Sequence, residues 1–171
     1  MKFLYKFSLL SAVLGIMSTA ILDCWNFLSH IIFDVPLTRY EFIGRWMLHM
    51  IDGQFYHQSI KQSSAIYGEL VAGWLGHYMI GIFFASLLLG GWGLKWLQRP
   101  ALMGAMTVSL FTVVIPYFIM QPAMGHGIAG SLTPNPQAMI IKVIISHVVF
   151  GFALYFAGSL INLVNQLRHK V

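Results

Sequence analysis

The sequence predicts an all-α membrane protein, namely a bundle of four transmembrane helices with a short interfacial helix in the first outer loop. Hydrophobic residues make up 58% of the 171-residue chain and charged residues only 9%, whereas about a quarter of the residues in a typical soluble protein are charged. Segments of about 20 apolar residues are long enough to cross a hydrocarbon core of roughly 30 Å. We expect one membrane domain over residues 1–171, with spans at about 7–33, 69–90, 101–120 and 138–163.

The first span begins like a signal peptide, because Lys2 and Lys6 precede an apolar segment. The apolar character continues well past Ala20, so we predict an uncleaved signal anchor. Asp23 stands where a lipoprotein signal requires a small residue, immediately before Cys24. A single cysteine excludes an intramolecular disulfide and a cysteine-based metal cluster within this sequence.

The first outer loop, residues 34–68, contains an amphipathic segment that predicts a short helix over residues 38–51. Thr38 and Glu41 have the spacing of a capping box, and Glu41 and Arg45 have the i,i+4 spacing of an ion pair. A helix of this kind is typical of the membrane surface.

Further side chains of this loop suggest contacts with headgroups or a metal. Tyr40 and Trp46 are expected at headgroup level, where amphipathic rings are favoured. His49, Asp52 and His57 form a possible outer metal site, although a solvated surface is the simpler interpretation.

The third span contains no charged residue, and Pro116 predicts a kink in it. The outer loop that follows, residues 121–137, is rich in proline and glycine, and His126 is the one residue in it that can carry a charge. This composition predicts either a segment that dips into the mouth of the bundle or a tight surface loop. Nothing adjacent in sequence makes His126 a catalytic base.

The positive-inside rule predicts that both termini lie in the cytoplasm. On one side of the four spans, short segments carry Lys2, Lys6, Lys95, Arg99, Arg168 and Lys170. The other side has Arg39, Arg45 and Lys61 in a long loop, with Lys142 just inside the fourth span. These scattered cations fit a lipid bilayer as the partner and do not indicate binding to nucleic acid.

Four side chains are predicted to form one polar layer. Asp23, His77, Thr112 and His147 each lie about nine residues inward from the outer ends of their spans, which corresponds to a depth of roughly 13 Å. Ionisable groups inside a membrane span are costly and often functional.

Helical periodicity extends this layer, because Asn26 and His30 share a face with Asp23, and Glu69 shares one with His77. The candidate relay for an ion or a substrate is therefore Asp23, Asn26, His30, Glu69, His77, Thr112 and His147.

Three interpretations of this layer remain open. It is a hydrogen-bonded network that only holds the helices in register, a relay in a small transporter or ion-coupled carrier, or a metal or haem site with His77 and His147 as ligands. The cofactor is unknown. The chain has no nucleophile elbow, phosphate loop, dinucleotide fingerprint or HExxH motif, so we do not expect an enzyme.

Several strings carry a family resemblance: STAILDCWN at 18–26, GRWMLHM at 44–50, GQFYHQSI at 53–60, GELVAGWLGHYMIGIFFA at 68–85 and MQPAMGHGIAGSLTPNP at 120–136. Because it contains these strings, the chain resembles a bacterial membrane family known only as domain of unknown function 2938. The resemblance implies a small inner-membrane protein with about four helices, and it implies no reaction, ligand or partner. A homo-oligomer or a place in a larger membrane complex is compatible with this small size.

Overall fold

The computed structural model describes residues 1–168 and shows an all-helical fold, with no strand in that range. Lys170, which contributes to the predicted orientation, lies outside the described residues. Within them the α-helices are α1 (Lys2–Phe33), α2 (Tyr40–Ile51), α3 (Glu69–Trp92), α4 (Leu102–Phe111), α5 (Gln121–Ala123) and α6 (Pro136–Arg168).

Four helical segments are long and apolar enough to cross a membrane, as predicted. They are α1, α3, α6 and the interrupted segment Leu102–Ala123. Helices α1 and α6 extend beyond the predicted spans by several residues at the end of the bundle where α1 begins and α6 ends. Backbone hydrogen bonding within a helix does not stop where the apolar residues stop, so hydropathy underestimates its length.

The third span is distorted before Pro116. Helix α4 ends at Phe111, and a π-helical turn follows at Pro116–Met120. Because proline has no N–H group to offer the carbonyl of Thr112, that carbonyl accepts from the N–H of Ile115 instead, at 3.0 Å. The helical hydrogen bonds are therefore broken one turn before Pro116, the residue from which the sequence predicts a kink.

The apolar core lies in the inner half of the bundle, which is the half nearer the start of α1. Its buried members include Leu14, Phe84, Leu88, Trp96 and Leu154. They come from α1, α3, α6 and the 3₁₀ helix Leu94–Gln98.

Helix α2 packs tightly against α3. A Cβ atom on Gly44 would overlap the backbone of Glu69, and one on Gly73 would overlap the backbone of Tyr40. Small residues allow helices to approach this closely. The predicted helix is therefore present, and it packs against α3.

The predicted start of α2 is wrong in two details. The helix begins at Tyr40 without a side-chain cap, so Thr38 and Glu41 form no capping box. Glu41 pairs with Arg39 at 2.6 Å rather than with Arg45. Arg45 instead bonds Glu69 of α3, because a bidentate partner is available there.

Tyr40 also differs from its expected place at headgroup level, since it is 8% exposed and packs inside the bundle. Its hydroxyl reaches side chains two to three turns inside α1 and α3. The segment between α1 and α2 therefore returns alongside the helices before α2 begins.

The two outer loops are joined to each other. The N–H of His57 donates to the carbonyl of Ala123 at 2.8 Å, and the N–H of Ile60 donates to that of Met124 at 3.1 Å. Gly125, with a φ of 82°, lies against the backbone of Gln58, where a side chain would not fit. The proline- and glycine-rich segment is thus a compact loop that packs on its neighbour.

Candidate functional site

The candidate site is centred on the carboxylate of Asp23 in α1. Its Oδ1 accepts hydrogen bonds from the hydroxyl of Tyr40 at 3.0 Å and from Nε2 of His77 at 2.9 Å. Its Oδ2 accepts from the hydroxyl of Tyr78 at 3.1 Å. Tyr40 also lies 3.1 Å from Nε2 of His77, so three side chains from three helices meet at one point.

Helix packing brings these groups to the same depth. Asp23 and His77 lie roughly 12–15 Å from the outer ends of their helices. Gly15 and Gly81 allow α1 and α3 to approach closely, because a Cβ on either would overlap the facing helix. The predicted meeting of Asp23 with His77 follows from this approach.

The surroundings of Asp23 suit a negative charge. Three donors occupy most of the roughly four acceptor sites that an ionised carboxylate offers, and hydrogen bonds to a charged acceptor are the stronger kind. Burial raises the pKa of Tyr40, and the Asp23 carboxylate raises it further. Tyr40 therefore remains a neutral donor, with its ring against Trp74 at a centroid distance of 4.2 Å.

The tautomer of His77 follows from its partner. Because a carboxylate only accepts, the ring nitrogen that faces Asp23 carries a proton. Nδ1 of His77 has no hydrogen-bond partner among residues 1–168. This second nitrogen is consequently available to take up a proton or to accept a bond from a ligand.

A cavity of about 170 Å³ lies beside this cluster. Most of its wall is apolar and includes Phe84 and Phe150, while polar groups such as Asn26 and His77 occupy part of it. Thr19 is also in the wall, but its hydroxyl is buried and has no hydrogen-bond partner in the described part of the chain. This oxygen lies against Gly81 of α3, so it is enclosed in the contact between α1 and α3 and is not exposed to the cavity.

The other predicted site residues fall into two groups. Asn26 and His147 line the same cavity as His77, and Nδ1 of His147 bonds the carbonyl of Val143 at 2.9 Å. Thr112 is buried and donates to the carbonyl of Ser109 at 2.7 Å, and His30 bonds the carbonyl of Val35 at 3.0 Å. Neither Thr112 nor His30 is placed in the cavity wall.

Glu69 belongs to a different cluster, at the outer end of α3. Its two carboxylate oxygens bond Nε and Nη2 of Arg45 at 2.8 and 2.7 Å. Nη1 of Arg45 donates to the carbonyls of Ile60 and Ser63, and the Glu69 carboxylate raises the pKa of Arg45. This network ties α2, α3 and the first outer loop together, at a distance from the cavity.

Sequence reasoning missed Tyr40, Tyr78 and Thr38. Tyr78 follows His77 directly, so a tyrosine hydroxyl next to a buried histidine was a usable signal. Tyr40 and Thr38 reach the site only because the chain returns into the bundle after α1. Local periodicity does not contain that information.

The possible outer metal site is only partly assembled. His49 and His57 are buried with 2.6 Å between Nδ1 and Nε2, whereas Asp52 is exposed. Burial lowers the pKa of His57, and the neighbouring His49 lowers it further. Among residues 1–168 no group of three or more His, Cys, Asp or Glu is arranged to hold a metal ion.

These features define a class: an all-helical protein with four span-length helices and a polar cluster beside a partly open cavity. The chain belongs to the family described as "Protein of unknown function (DUF2938)", whose model matches residues 12–161. This confirms the family resemblance found in the sequence. No curated protein and no solved structure matches the chain.

Proposed function

We propose that this protein is a proton-coupled carrier of a small molecule in the bacterial inner membrane, with both termini in the cytoplasm. The observation that carries the proposal is the contact of Asp23, His77 and Tyr40 beside a cavity that His77 and Tyr40 help to line. The orientation rests on the distribution of Lys and Arg, and green fluorescent protein fused to the C-terminus, which fluoresces only in the cytoplasm, tests it.

The cluster supplies the chemistry of reversible proton binding. A proton taken up at Nδ1 of His77 converts the ring to an imidazolium, and the Asp23 carboxylate at 2.9 Å compensates its charge. Histidine is the side chain that changes charge most readily near neutral pH. The hydroxyls of Tyr40 and Tyr78 hold the carboxylate in place in either state.

The cavity sets the size of the cargo. A cavity of about 150 Å³ accommodates benzene, so about 170 Å³ suits a molecule of that scale. The aromatic and aliphatic wall fits an apolar body, while Asn26, Thr38 and His77 fit one hydrogen-bonding group. Glu69 has no part in this relay, since Arg45 holds both of its oxygens.

Proteoliposomes that contain a pH-sensitive dye test the proposal. Benzene-sized amines, phenols and carboxylic acids are added outside, and protein-free liposomes report how much each compound permeates by itself. We expect at least one compound to drive a proton flux above that background. The flux disappears in His77→Gln and persists in His30→Gln, because His30 bonds only the carbonyl of Val35. Equal flux in both variants contradicts the proposal.

A metal ion held between His77 and His147 is the second candidate. Both residues line the cavity, and each has one ring nitrogen engaged by protein, which leaves the other nitrogen free to bind a ligand. A carboxylate behind a ligating histidine, as Asp23 stands behind His77, is common in metal sites. Stoichiometric metal in the purified protein that is lost in a His77→Ala/His147→Ala variant supports this candidate. A cavity of benzene size does not suit a porphyrin.

A further inference from the structure

A second cavity, of about 450 Å³, lies at the inner end of the bundle. Its polar lining consists of one lysine and four carboxamides from three helices: Lys6, Gln98, Asn162, Asn165 and Gln166. Leu10, Leu94 and Leu97 form its apolar part. It shares no residue with the wall of the cavity beside Asp23.

Charge is strongly segregated between the two ends of the molecule. All five carboxylates of the sequence occur between Asp23 and Glu69. The segments around the inner cavity carry Lys2, Lys6, Lys95, Arg99 and Arg168 and have no acidic residue. Within residues 1–168, an anion in this cavity therefore meets lysine and arginine side chains without a competing side-chain carboxylate.

The lining also has the right donors for an oxyanion. Lysine offers an ammonium group, and each Asn or Gln offers an N–H₂ group for hydrogen bonding. Among the described residues, the amide of Gln166 forms only a long contact of 3.4 Å with Asn162. Basic pockets between transmembrane helices on the cytoplasmic side commonly bind anionic lipid headgroups.

We propose that this inner cavity binds a phosphate-bearing anion through Lys6 and the carboxamides of Gln98, Asn162, Asn165 and Gln166. The phosphate is that of a membrane phospholipid or of a soluble phosphate ester. Leu10, Leu94 and Leu97 give the same cavity an apolar part that suits the glycerol and first methylene groups of a lipid.

The test measures the unfolding temperature of the purified protein in a neutral detergent, because a ligand of the folded state raises that temperature. Short-chain phosphatidylglycerol, phosphatidylcholine and glycerol 3-phosphate are titrated separately. Lys6→Gln and Asn165→Ala change the cavity lining, and both residues are exposed, so folding is retained. Lys95→Gln is the matched control, since Lys95 is an exposed cation at the same end but outside the lining.

We expect phosphatidylglycerol to stabilise the wild type more than phosphatidylcholine does. Lys6→Gln should weaken the apparent affinity for phosphatidylglycerol about fivefold, because one basic side chain near a membrane surface contributes about 1 kcal/mol to lipid binding. Lys95→Gln should weaken this affinity by less than about twofold. Stabilisation by glycerol 3-phosphate that is lost in Lys6→Gln assigns the site to soluble phosphate esters. The proposal is overturned if no phosphate compound stabilises the protein, or if Lys95→Gln weakens binding as much as Lys6→Gln.

Discussion

The outer and inner halves of the bundle are held together by different interactions. In the outer half, specific polar contacts join the elements, such as Arg45 with Glu69 and Asp23 with His77. In the inner half, Leu14, Leu88 and Leu154 pack among apolar neighbours. Polar contacts change with protonation and with ligands, whereas apolar packing changes little. The polar contacts of the outer half are thus suited to the proposed proton binding, and the apolar core of the inner half is suited to hold the helices together.

The largest effect is expected from breaking the buried ion pair of the outer half. In Arg45→Met, the Glu69 carboxylate loses its cation, although its side chain is only 15% exposed. Removing one partner of a buried pair costs about 3–5 kcal/mol. The unfolding temperature in detergent should fall sharply.

Arg39→Met is the matched control. Arg39 lies just before α2 and pairs with Glu41 of that helix, but the Arg39 side chain is 64% exposed. Exposed pairs contribute less than about 1 kcal/mol. Similar losses of stability in the two variants would show that the Arg45–Glu69 pair contributes no more to the free energy of unfolding than the exposed Arg39–Glu41 pair does.

A smaller loss is expected from widening the contact between α2 and α3. In Gly44→Ala, the new methyl group overlaps the backbone of Glu69, and overpacking of this kind costs about 1–3 kcal/mol. Gly90→Ala places a methyl group on α3 where no atom lies within 4 Å, and alanine favours a helix more than glycine does, so its unfolding temperature should not fall below that of the wild type. An equally stable Gly44→Ala variant would mean that α2 is not packed as described.

Acidification should weaken the outer half through its loop histidines. Burial lowers the pKa of His57, and burial and then the charge of Lys61 lower that of His126. The unfolded chain therefore binds protons near pH 6.5, where these folded histidines do not. The free energy of unfolding falls as pH decreases through 6.5, because the unfolded state then holds more protons.

The measurement is the unfolding temperature between pH 7.5 and 5.5. The double variant His57→Phe/His126→Phe should show a shallower dependence than the wild type, whatever its absolute stability. Parallel curves would show that other groups cause the acid sensitivity.

The smallest of these effects is expected from Tyr78→Phe. The change removes one of three donors to Asp23 while Tyr40 and His77 remain. A hydrogen bond to a charged group contributes about 1.5–3 kcal/mol, and the loss should lie at the lower end of this range because two donors to Asp23 remain, so the unfolding temperature should fall by a few degrees. A loss as large as that of Arg45→Met would show that Asp23 depends mainly on Tyr78.

The helices and the meeting of Asp23 with His77 were predictable from the sequence, because both follow from hydropathy and from counting along helices. The contacts of Tyr40 and Arg45 were not. Both lie on α2, whose position depends on how the chain returns after α1 and on the approach of Gly44 to α3. Glu69 shows the same limit, since the sequence groups it with His77 on α3, whereas its partner Arg45 comes from a segment distant in sequence.

The most direct test compares Asp23→Asn with Asp52→Asn in proteoliposomes, with unfolding temperatures measured on the same samples. Both substitutions replace a carboxylate by an amide, but Asp52 is exposed in the outer loop. A carrier that depends on Asp23 loses proton flux in Asp23→Asn while it stays folded, and keeps the flux in Asp52→Asn. If Asp23→Asn transports like the wild type, or fails to fold at all, the Asp23 cluster is a structural device and the carrier proposal is contradicted.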